Sequence, residues 1–216
     1  MLIFHGSKEI IIKPLLEKGN KYNDFGIGFY CTEDKEKANE WACKDGKNGT
    51  VNCYELNIEK LNILDLTNPK YNVLNWLALL LKNRTFKTKN QFSKEAKEFI
   101  IKNYSVDTTK CDLIKGYRAD DSYFSYAQDF LNNALSIENI ESALKLGDLG
   151  KQIVLVSNKA FEDIKFIEAI DSKASEYYYS YVNNDIKARE AYKRMETSMK
   201  GKFILDILRE KNDESL

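Results

Sequence analysis

Histidine is nearly absent from this chain, in which His5 is the single imidazole among 216 residues. The four cysteines, Cys31, Cys43, Cys53 and Cys111, have no C-x-x-C spacing, and with one histidine they make a poor set of zinc ligands. We therefore expect free thiols, no bound metal, and the reducing environment of the cytoplasm.

A long apolar run and an excess of one charge are also missing. The longest apolar run, residues 76–81, is far shorter than the roughly 20 residues of a membrane-spanning helix, and no signal-peptide pattern is visible. Lys and Arg together number 33, as do Asp and Glu, so net charge gives no argument for nucleic-acid binding. These absences predict a cytoplasmic protein without a membrane partner.

Strand-like and helical segments alternate as far as about residue 170. Alternating or continuous apolar patterns predict strands near residues 2–5, 50–58, 61–66, 151–157 and 165–170. Helical periodicity predicts helices near 34–45, 71–83, 92–103, 122–133 and 136–147. This mixture predicts an α+β fold.

The character of the chain changes at residue 171. From there to the end it has no proline and one glycine, and charged and aromatic residues predominate. This composition predicts one or two long helices. We therefore predict a domain over residues 1–170 and a C-terminal helical extension, 171–216, packed on it. Five tyrosines of the extension either cover the domain or form a docking surface for a partner: Tyr177, Tyr178, Tyr179, Tyr181 and Tyr192.

A glycine pair precedes an aromatic pair in the segment FGIGFY, residues 25–30. Glycines spaced in this way permit a positive φ or a close approach of the backbone to a ligand. The segment lacks the third glycine of a dinucleotide-binding fingerprint and the Gly-Lys-Ser/Thr of a P-loop. By itself it predicts either a tight turn before a strand or a ligand contact.

Two further segments carry polar residues near predicted strand ends. In GYRADDSYF, residues 116–124, Asp121 or Ser122 could cap the next helix, which leaves Arg118 and Asp120 without a structural explanation. Gln152 stands near the start of the most apolar strand, where it lies either at a sheet edge or in a site.

In their order along the chain, these segments resemble ADP-ribosyltransferases of the diphtheria-toxin and poly-ADP-ribose-polymerase branch. The likeness rests on FHGS at 4–7, FGIGFYCTEDKEKANEW at 25–41 and KQIVLV at 151–156. These match a signature of His, Tyr and then Glu, Asp or Gln on three strands. The arrangement is most similar to a bacterial family catalogued as DUF3990, over about residues 1–170. The resemblance implies a split β-sheet core surrounded by helices.

The resemblance also implies an NAD site. His5 would hydrogen-bond the adenosine-side ribose, and Gly6 and Ser7 would bind the nicotinamide carboxamide. Tyr30 would stack on the nicotinamide ring, with Trp41 as a second aromatic wall. Gly28 and Phe29, which precede Tyr30, are assigned to the same site.

Gln152 aligns where many members have Glu. A neutral amide can hydrogen-bond a ribose hydroxyl but cannot act as a general base. The resemblance therefore implies mono-ADP-ribosyl transfer, NAD hydrolysis or NAD binding without catalysis, rather than chain elongation. Asp120 or Asp121 could supply a carboxylate, and the planar fork of Arg118 could bind the pyrophosphate.

The implied activity is transfer of ADP-ribose from NAD to a protein or nucleic-acid acceptor, with release of nicotinamide. The implied context is a toxin or effector of a toxin–antitoxin or phage-defence system, with a neutralising antitoxin as a partner. The alternatives are a degenerate NAD-binding or interaction module, an NAD glycohydrolase, and a 2′-phosphotransferase. The last would need several basic residues around an extra phosphate, and in the sequence only Arg118 is well placed for that role.

Overall fold

The computed structural model describes residues 1–86, 88, 90–119, 121–146, 150–195 and 200–213. Within these residues the strands are β1 (Leu2–Ser7), β2 (Phe29–Cys31), β3 (Gly49–Leu56), β4 (Ile63–Asp65), β5 (Leu113–Tyr117), β6 (Lys151–Leu155) and β7 (Ile164–Ser172). The α-helices are α1 (Lys35–Ala42), α2 (Val73–Asn83), α3 (Gln91–Tyr104), α4 (Asp121–Leu131), α5 (Ile137–Leu146), α6 (Asn158–Glu162), α7 (Ala174–Met195) and α8 (Ile204–Asp213). The predicted α+β fold is confirmed.

The strands form two sheets that meet at one point. The first has the order β1-β3-β7 and the second β2-β6-β5-β4, and the β4–β5 pair alone among these neighbours is parallel. The edge strands β1 and β2 are joined where Phe4 and Thr32 exchange backbone hydrogen bonds of 2.8 and 2.9 Å. Beyond this bridge the two edges open into a cleft.

The largest apolar core lies between the second sheet and the helices α2, α3, α4 and α8. Eight of the eleven residues of α2 are buried, which agrees with its nearly continuous apolar sequence. Trp76 of this helix donates its indole N–H to the carbonyl of Tyr117 at 3.0 Å. This contact fixes α2 against the end of β5, close to the cleft.

A second core lies between the two sheets, and a third holds α1 on β1 and β3. Ile3, Tyr54 and Leu155 are completely buried in the second core. In the third, Ala38 and Cys43 pack on Phe4 and Val51. All four cysteines are free, as the sequence predicted.

The C-terminal segment forms two helices, as its composition predicted. Helix α7 contacts α1, α4 and α5, and α8 contacts α3. Ile204 and Ile207 of α8 are 0% and 4% exposed in the largest core. β7 extends to Ser172, two residues past the predicted boundary, and the division into two domains stays a prediction. Of the described helices, none has the length and apolar character that crossing a membrane requires.

Candidate functional site

A cavity of about 740 Å³ opens where the two sheets diverge. Its walls come from β1, β2 and the segment before it, α1, the end of α2, the segment after β5, β6 and α7. Of the residues that the resemblance assigns to an NAD site, seven line it: His5, Gly6, Ser7, Tyr30, Trp41, Arg118 and Gln152. The fold therefore gathers into one cleft residues that are distant in the sequence.

His5 connects the two sheets beside the Phe4–Thr32 bridge. Its Nδ1 lies 2.7 Å from the carbonyl oxygen of Tyr30, and a carbonyl can only accept, so Nδ1 carries a proton. Burial lowers the pKa of His5, although the hydrogen bond to Tyr30 opposes the shift. In the neutral ring, Nε2 therefore keeps a lone pair that can accept a hydrogen bond from a ligand.

Phe29 and Gly28 do not line the cavity, although both were assigned to the site. Phe29 is 7% exposed, and its ring stacks on His5 from behind at a centroid distance of 4.4 Å. A Cβ on Gly28 would lie 2.5 Å from the side chain of Val154, so this glycine permits β2 to approach β6. Their roles are structural: Phe29 supports His5, and Gly28 places β2.

Gly6 lies where β1 passes closest to α1. A Cβ at this position would lie 2.1 Å from the carbonyl oxygen of Ala38, a distance that no side chain tolerates. Backbone groups alternate in direction along a strand, so the N–H and C=O of Gly6 share the edge at which Phe4 bonds to β2. Past the bridge, that edge faces the cavity.

The hydroxyl of Ser7 is already used within the loop that follows β1. It donates to the carbonyl of Glu9 at 2.5 Å and accepts from Nδ2 of the buried Asn52 at 3.0 Å. Asn52 also accepts from the backbone N–H of Ile11 at 2.7 Å. Ser7 lines the cavity, but the hydrogen bonds of its hydroxyl hold this loop.

Tyr30 divides its functions between hydroxyl and ring. The hydroxyl donates to the carbonyl of Gly26 at 2.8 Å and accepts from the N–H of Phe25 at 3.0 Å. Gly26 has a φ of +80°, so the turn that receives this hydroxyl requires glycine. Burial raises the pKa of Tyr30, which keeps the hydroxyl protonated and leaves the ring for apolar or stacking contact.

Trp41 and Arg118 form a stacked pair on the cavity wall. The Arg118 guanidinium carbon lies 4.5 Å from the centroid of the Trp41 ring. Asp34 caps α1 and so sets the start of the helix that carries Trp41, because its side chain accepts from the N–H groups of Glu36 and Lys37. The pair places a flat cation beside a flat aromatic surface, which suits an anionic or aromatic ligand.

Gln152 lies on a central strand, not at a sheet edge. β6 is flanked by β2 and β5, and Gln152 is 3% exposed. Its Nε2 donates to Oδ2 of Asp24 at 3.0 Å and to the carbonyl of Tyr117 at 3.3 Å. With both amide hydrogens engaged, Oε1 is the atom of this side chain that can serve a ligand, and it can only accept.

Asp24 is a cavity residue that the sequence did not reveal. It is 6% exposed, and Oδ2 accepts from the N–H of Ala119 at 2.9 Å as well as from Gln152. Its Oδ1 lies 3.2 Å from Nη1 of Arg84, a second residue that was missed. Burial raises the pKa of Asp24, although the N–H of Ala119 and the charge of Arg84 oppose the shift.

The structure does not describe the side chains of the two predicted carboxylates, Asp120 and Asp121. Asp120 lies outside the described residues, and Asp121 begins α4 but its side chain lies outside them. Asp24 is instead the described carboxylate that contacts Gln152. In the sequence Asp24 belongs to NDFG, which reads as a turn, and no local signal connects it with Gln152.

The C-terminal extension forms one side of the cavity. Tyr181, Val182 and Asp185 of α7 line it, with Arg189 one turn further along. Of the five tyrosines of the extension, Tyr179 is 77% exposed, whereas Tyr177 packs against the third core. The side chain of Tyr192 lies outside the described residues. The cluster of tyrosines was the one sequence signal for this wall, and it did not indicate a cavity.

A buried polar cluster attaches α7 to α1. Nδ2 of Asn184 donates to both carboxylate oxygens of Glu40, at 3.1 and 3.2 Å, and Lys37 lies 3.4 Å from the same carboxylate. Glu40 and Lys37 are 9% and 6% exposed. The helical side of the cavity is thus fixed to the helix that carries Trp41.

The described cavity residues carry more positive than negative charge. Three of the basic side chains pair with acids: Lys8 with Asp45, Arg84 with Asp24, and Arg189 with Asp185. Lys44 and Arg118 also line the cavity. Across the described part of the chain, no three His, Cys, Asp or Glu side chains come together as metal ligands.

Comparison with known proteins gives a family and no described function. The family model for "Protein of unknown function (DUF3990)" matches residues 1–166, and thus includes the strands that carry His5, Tyr30 and Gln152. No curated protein and no solved structure matches the chain. The cavity residues of α7 lie beyond the matched segment.

Proposed function

Because the chain belongs to the DUF3990 family, whose motif order resembles that of ADP-ribosyltransferases, we propose that it is an NAD-dependent mono-ADP-ribosyltransferase. The observation that carries the proposal is the meeting of His5, Tyr30 and Gln152 in one cavity, each from a different strand. In this reading NAD is a co-substrate, and the enzyme is a glycosyltransferase that releases nicotinamide.

The size and charge of the cavity suit a dinucleotide. Its volume of about 740 Å³ falls within the roughly 300–1,000 Å³ of typical ligand sites. The excess of basic groups favours a pyrophosphate, which Arg118 can bind through two N–H donors. His5 offers Nε2 to a ribose hydroxyl, and the outward edge of Gly6 offers an N–H and a C=O to a carboxamide.

The chemical step breaks the bond between ribose C1 and the nicotinamide nitrogen, and the bonding electrons leave with nicotinamide. The ribose then has oxocarbenium character, and a nucleophile of the acceptor attacks C1 and releases its proton to solvent. Tyr30 and Trp41 would hold the leaving ring, while Oε1 of Gln152 accepts a hydrogen bond from the ribose. These contacts are useful if they strengthen as the bond breaks.

Asp24 is not placed to remove the proton of the acceptor. Both of its oxygens already accept hydrogen bonds, and Gln152 is neutral. An acceptor group that is already a good nucleophile is therefore the expected partner. This supports single transfer rather than polymer growth, since elongation by a sugar hydroxyl requires a base.

Two other functions are alternatives to ADP-ribosyl transfer. An NAD glycohydrolase would use water in place of the acceptor, and a degenerate module would bind NAD without breaking it. A 2′-phosphotransferase is less well supported, because three of the five cavity cations pair with carboxylates instead of pointing to an extra phosphate. The toxin or effector context and a neutralising antitoxin belong to the proposal and follow from the resemblance alone.

NAD binding tests the proposal first. Calorimetry on the wild type, on His5→Ala and on Glu59→Ala, a residue outside the cavity, should show binding to the first and third only. Absence of binding by the folded wild type at millimolar NAD would overturn the proposal.

Product analysis then separates the alternatives. NAD labelled in the adenylate phosphate is incubated with the protein and cell extract, and both nicotinamide and acid-insoluble label are measured. Label in macromolecules supports transfer, whereas free nicotinamide with free ADP-ribose would establish a glycohydrolase. Binding with neither product would establish the degenerate module.

A further inference from the structure

Gln152 is held in one orientation by acceptors on two sides. Oδ2 of Asp24 and the carbonyl of Tyr117 lie 3.0 and 3.3 Å from the same amide nitrogen. A carboxylate and a carbonyl cannot donate, so a turned amide would place Oε1 against two acceptors. The oxygen of Gln152 is therefore directed away from them, toward the cavity that the residue lines.

Asp24 is itself held by groups from two other segments. The N–H of Ala119, beyond the end of β5, donates to Oδ2 at 2.9 Å, and Arg84, at the end of α2, contacts Oδ1 at 3.2 Å. Asn83 next to Arg84 donates its side-chain N–H to the backbone carbonyl of Asp24 at 3.2 Å. The carboxylate thus has little freedom to leave the amide of Gln152.

From this geometry we propose that Asp24 is a positioning residue that keeps the Gln152 amide oxygen toward the cavity as the acceptor for a ribose hydroxyl. The inference rests on the proposed function in one respect, namely that the ligand is NAD. It explains how a glutamine could serve where many of the ADP-ribosyltransferases that this sequence resembles have glutamate: the amide, locked in this way, presents an oxygen as a carboxylate would.

The same geometry predicts the effect of a glutamate at position 152. Gln152→Glu would bring a second carboxylate to within about 3 Å of Asp24 and remove the donor to Tyr117. Like charges at this separation cannot both stay ionised without cost. We therefore expect Gln152→Glu to weaken NAD binding at neutral pH instead of improving the site.

A double-mutant cycle tests the positioning. NAD dissociation constants are measured by calorimetry for the wild type, Asp24→Asn, Gln152→Met and the double variant. Each single change is expected to weaken binding by about tenfold, or 1.4 kcal/mol. The double variant should bind no more weakly than Gln152→Met alone, because Asp24 then has no amide to orient.

The matched control combines Asp24→Asn with Trp41→Phe. Trp41 makes no hydrogen bond with Asp24 in the described structure, so the two losses should multiply. If the losses of Asp24→Asn and Gln152→Met also multiply, to about a hundredfold, the positioning role is overturned. Should Asp24→Asn fail to fold, Gln152→Glu tests the same contact from the other side, and tighter NAD binding by it would overturn the inference.

A readout without NAD separates this inference from the proposed function. The side-chain ¹⁵N–¹H signals of Gln152 should show two protected amide protons in the wild type and lose protection in Asp24→Asn. A protected amide in a wild type that binds no NAD would end the proposed function and leave the orientation intact. An unprotected amide in a wild type that binds NAD would end the positioning role alone.

Discussion

The two walls of the cavity differ in how their side chains are held. The strand wall, His5, Tyr30 and Gln152, is tied by hydrogen bonds to backbone carbonyls or to buried groups. The helix wall, Tyr181, Val182, Asp185 and Arg189 of α7, is half-buried or exposed, and its Asp185–Arg189 pair faces solvent. The sheets hold one wall, whereas the other is one helix held by packing and by the hydrogen bonds of Asn184 to Glu40 of α1.

This difference suggests that the two walls bind different molecules. Side chains locked by packing and hydrogen bonds suit a co-substrate that must be held in one geometry. A solvent-facing helix can change its surface residues at little cost to the core, which suits recognition of a second molecule. The family match agrees with this contrast, because it includes the strand wall and ends before α7.

The largest effect should come from the part of the extension that enters the core. Ile204 is completely buried, so Ile204→Ala should lower the free energy of unfolding by about 2–5 kcal/mol. Ile186→Ala, at a position on α7 that is 47% exposed, should cost less than about 0.5 kcal/mol. Urea unfolding measures both; equal small losses would mean that the extension is an appendage rather than part of the fold.

The strand wall should separate ligand binding from stability at Tyr30. NAD at a hundredfold excess over its Kd should stabilise the wild type by about 2.7 kcal/mol. Tyr30→Ala should lose this stabilisation, whereas Tyr30→Phe keeps the ring and should retain it. Tyr30→Phe should still unfold about 1–2 kcal/mol more easily, because its hydroxyl holds the turn at Phe25 and Gly26. Thermal unfolding with and without NAD measures these effects. Equal stabilisation of Tyr30→Ala and Tyr30→Phe by NAD would contradict a stacking role for the Tyr30 ring.

The attachment of the helix wall should depend on Asn184. Asn184→Ala removes both hydrogen bonds to the buried Glu40 carboxylate and should cost about 1–2 kcal/mol of stability. Arg189→Ala is the control, since its side chain is 55% exposed and such ion pairs contribute less than about 1 kcal/mol. Hydrogen exchange of α7 should increase in Asn184→Ala and not in Arg189→Ala. Similar exchange in the two variants would mean that Asn184 does not attach α7 to α1.

The smallest effect should be a pH dependence within the strand wall. Burial raises the pKa of Asp24, so the folded state binds its proton more readily than the unfolded chain. Stability from this group is then present at low pH and lost as pH rises through the folded pKa. The free energy of unfolding of the wild type minus that of Asp24→Asn should therefore increase on acidification, because Asp24 becomes protonated. The NAD affinity of the wild type should fall over the same pH range. Denaturant unfolding in pH steps measures it, and a difference that shrinks on acidification would contradict the shift.

Local patterns were sufficient to predict most of the helices and strands. Alternation predicted β3 and β6, helical periodicity predicted α2, and the residues after 171 indicated long helices, because these patterns reflect which face of an element is buried. Of the two glycines of FGIGFY, Gly26 has the predicted positive φ, whereas the close approach at Gly28 is to Val154 of β6 and not to a ligand. That His5, Tyr30 and Gln152 share a site was predicted by the resemblance of the motif order to ADP-ribosyltransferases, and not by any local pattern.

What those patterns could not supply is the partner of each side chain. Asp24 reads as a turn residue, Arg84 as the end of a helix and Asp185 as a surface charge, and each lines the cavity only because distant segments fold together. Sequence alone determined the elements and the residue types of the site, since local periodicity reports burial. The tertiary structure decided which carboxylate meets Gln152, which way its amide points and that α7 lines the cleft, since these depend on contacts between residues far apart in the chain.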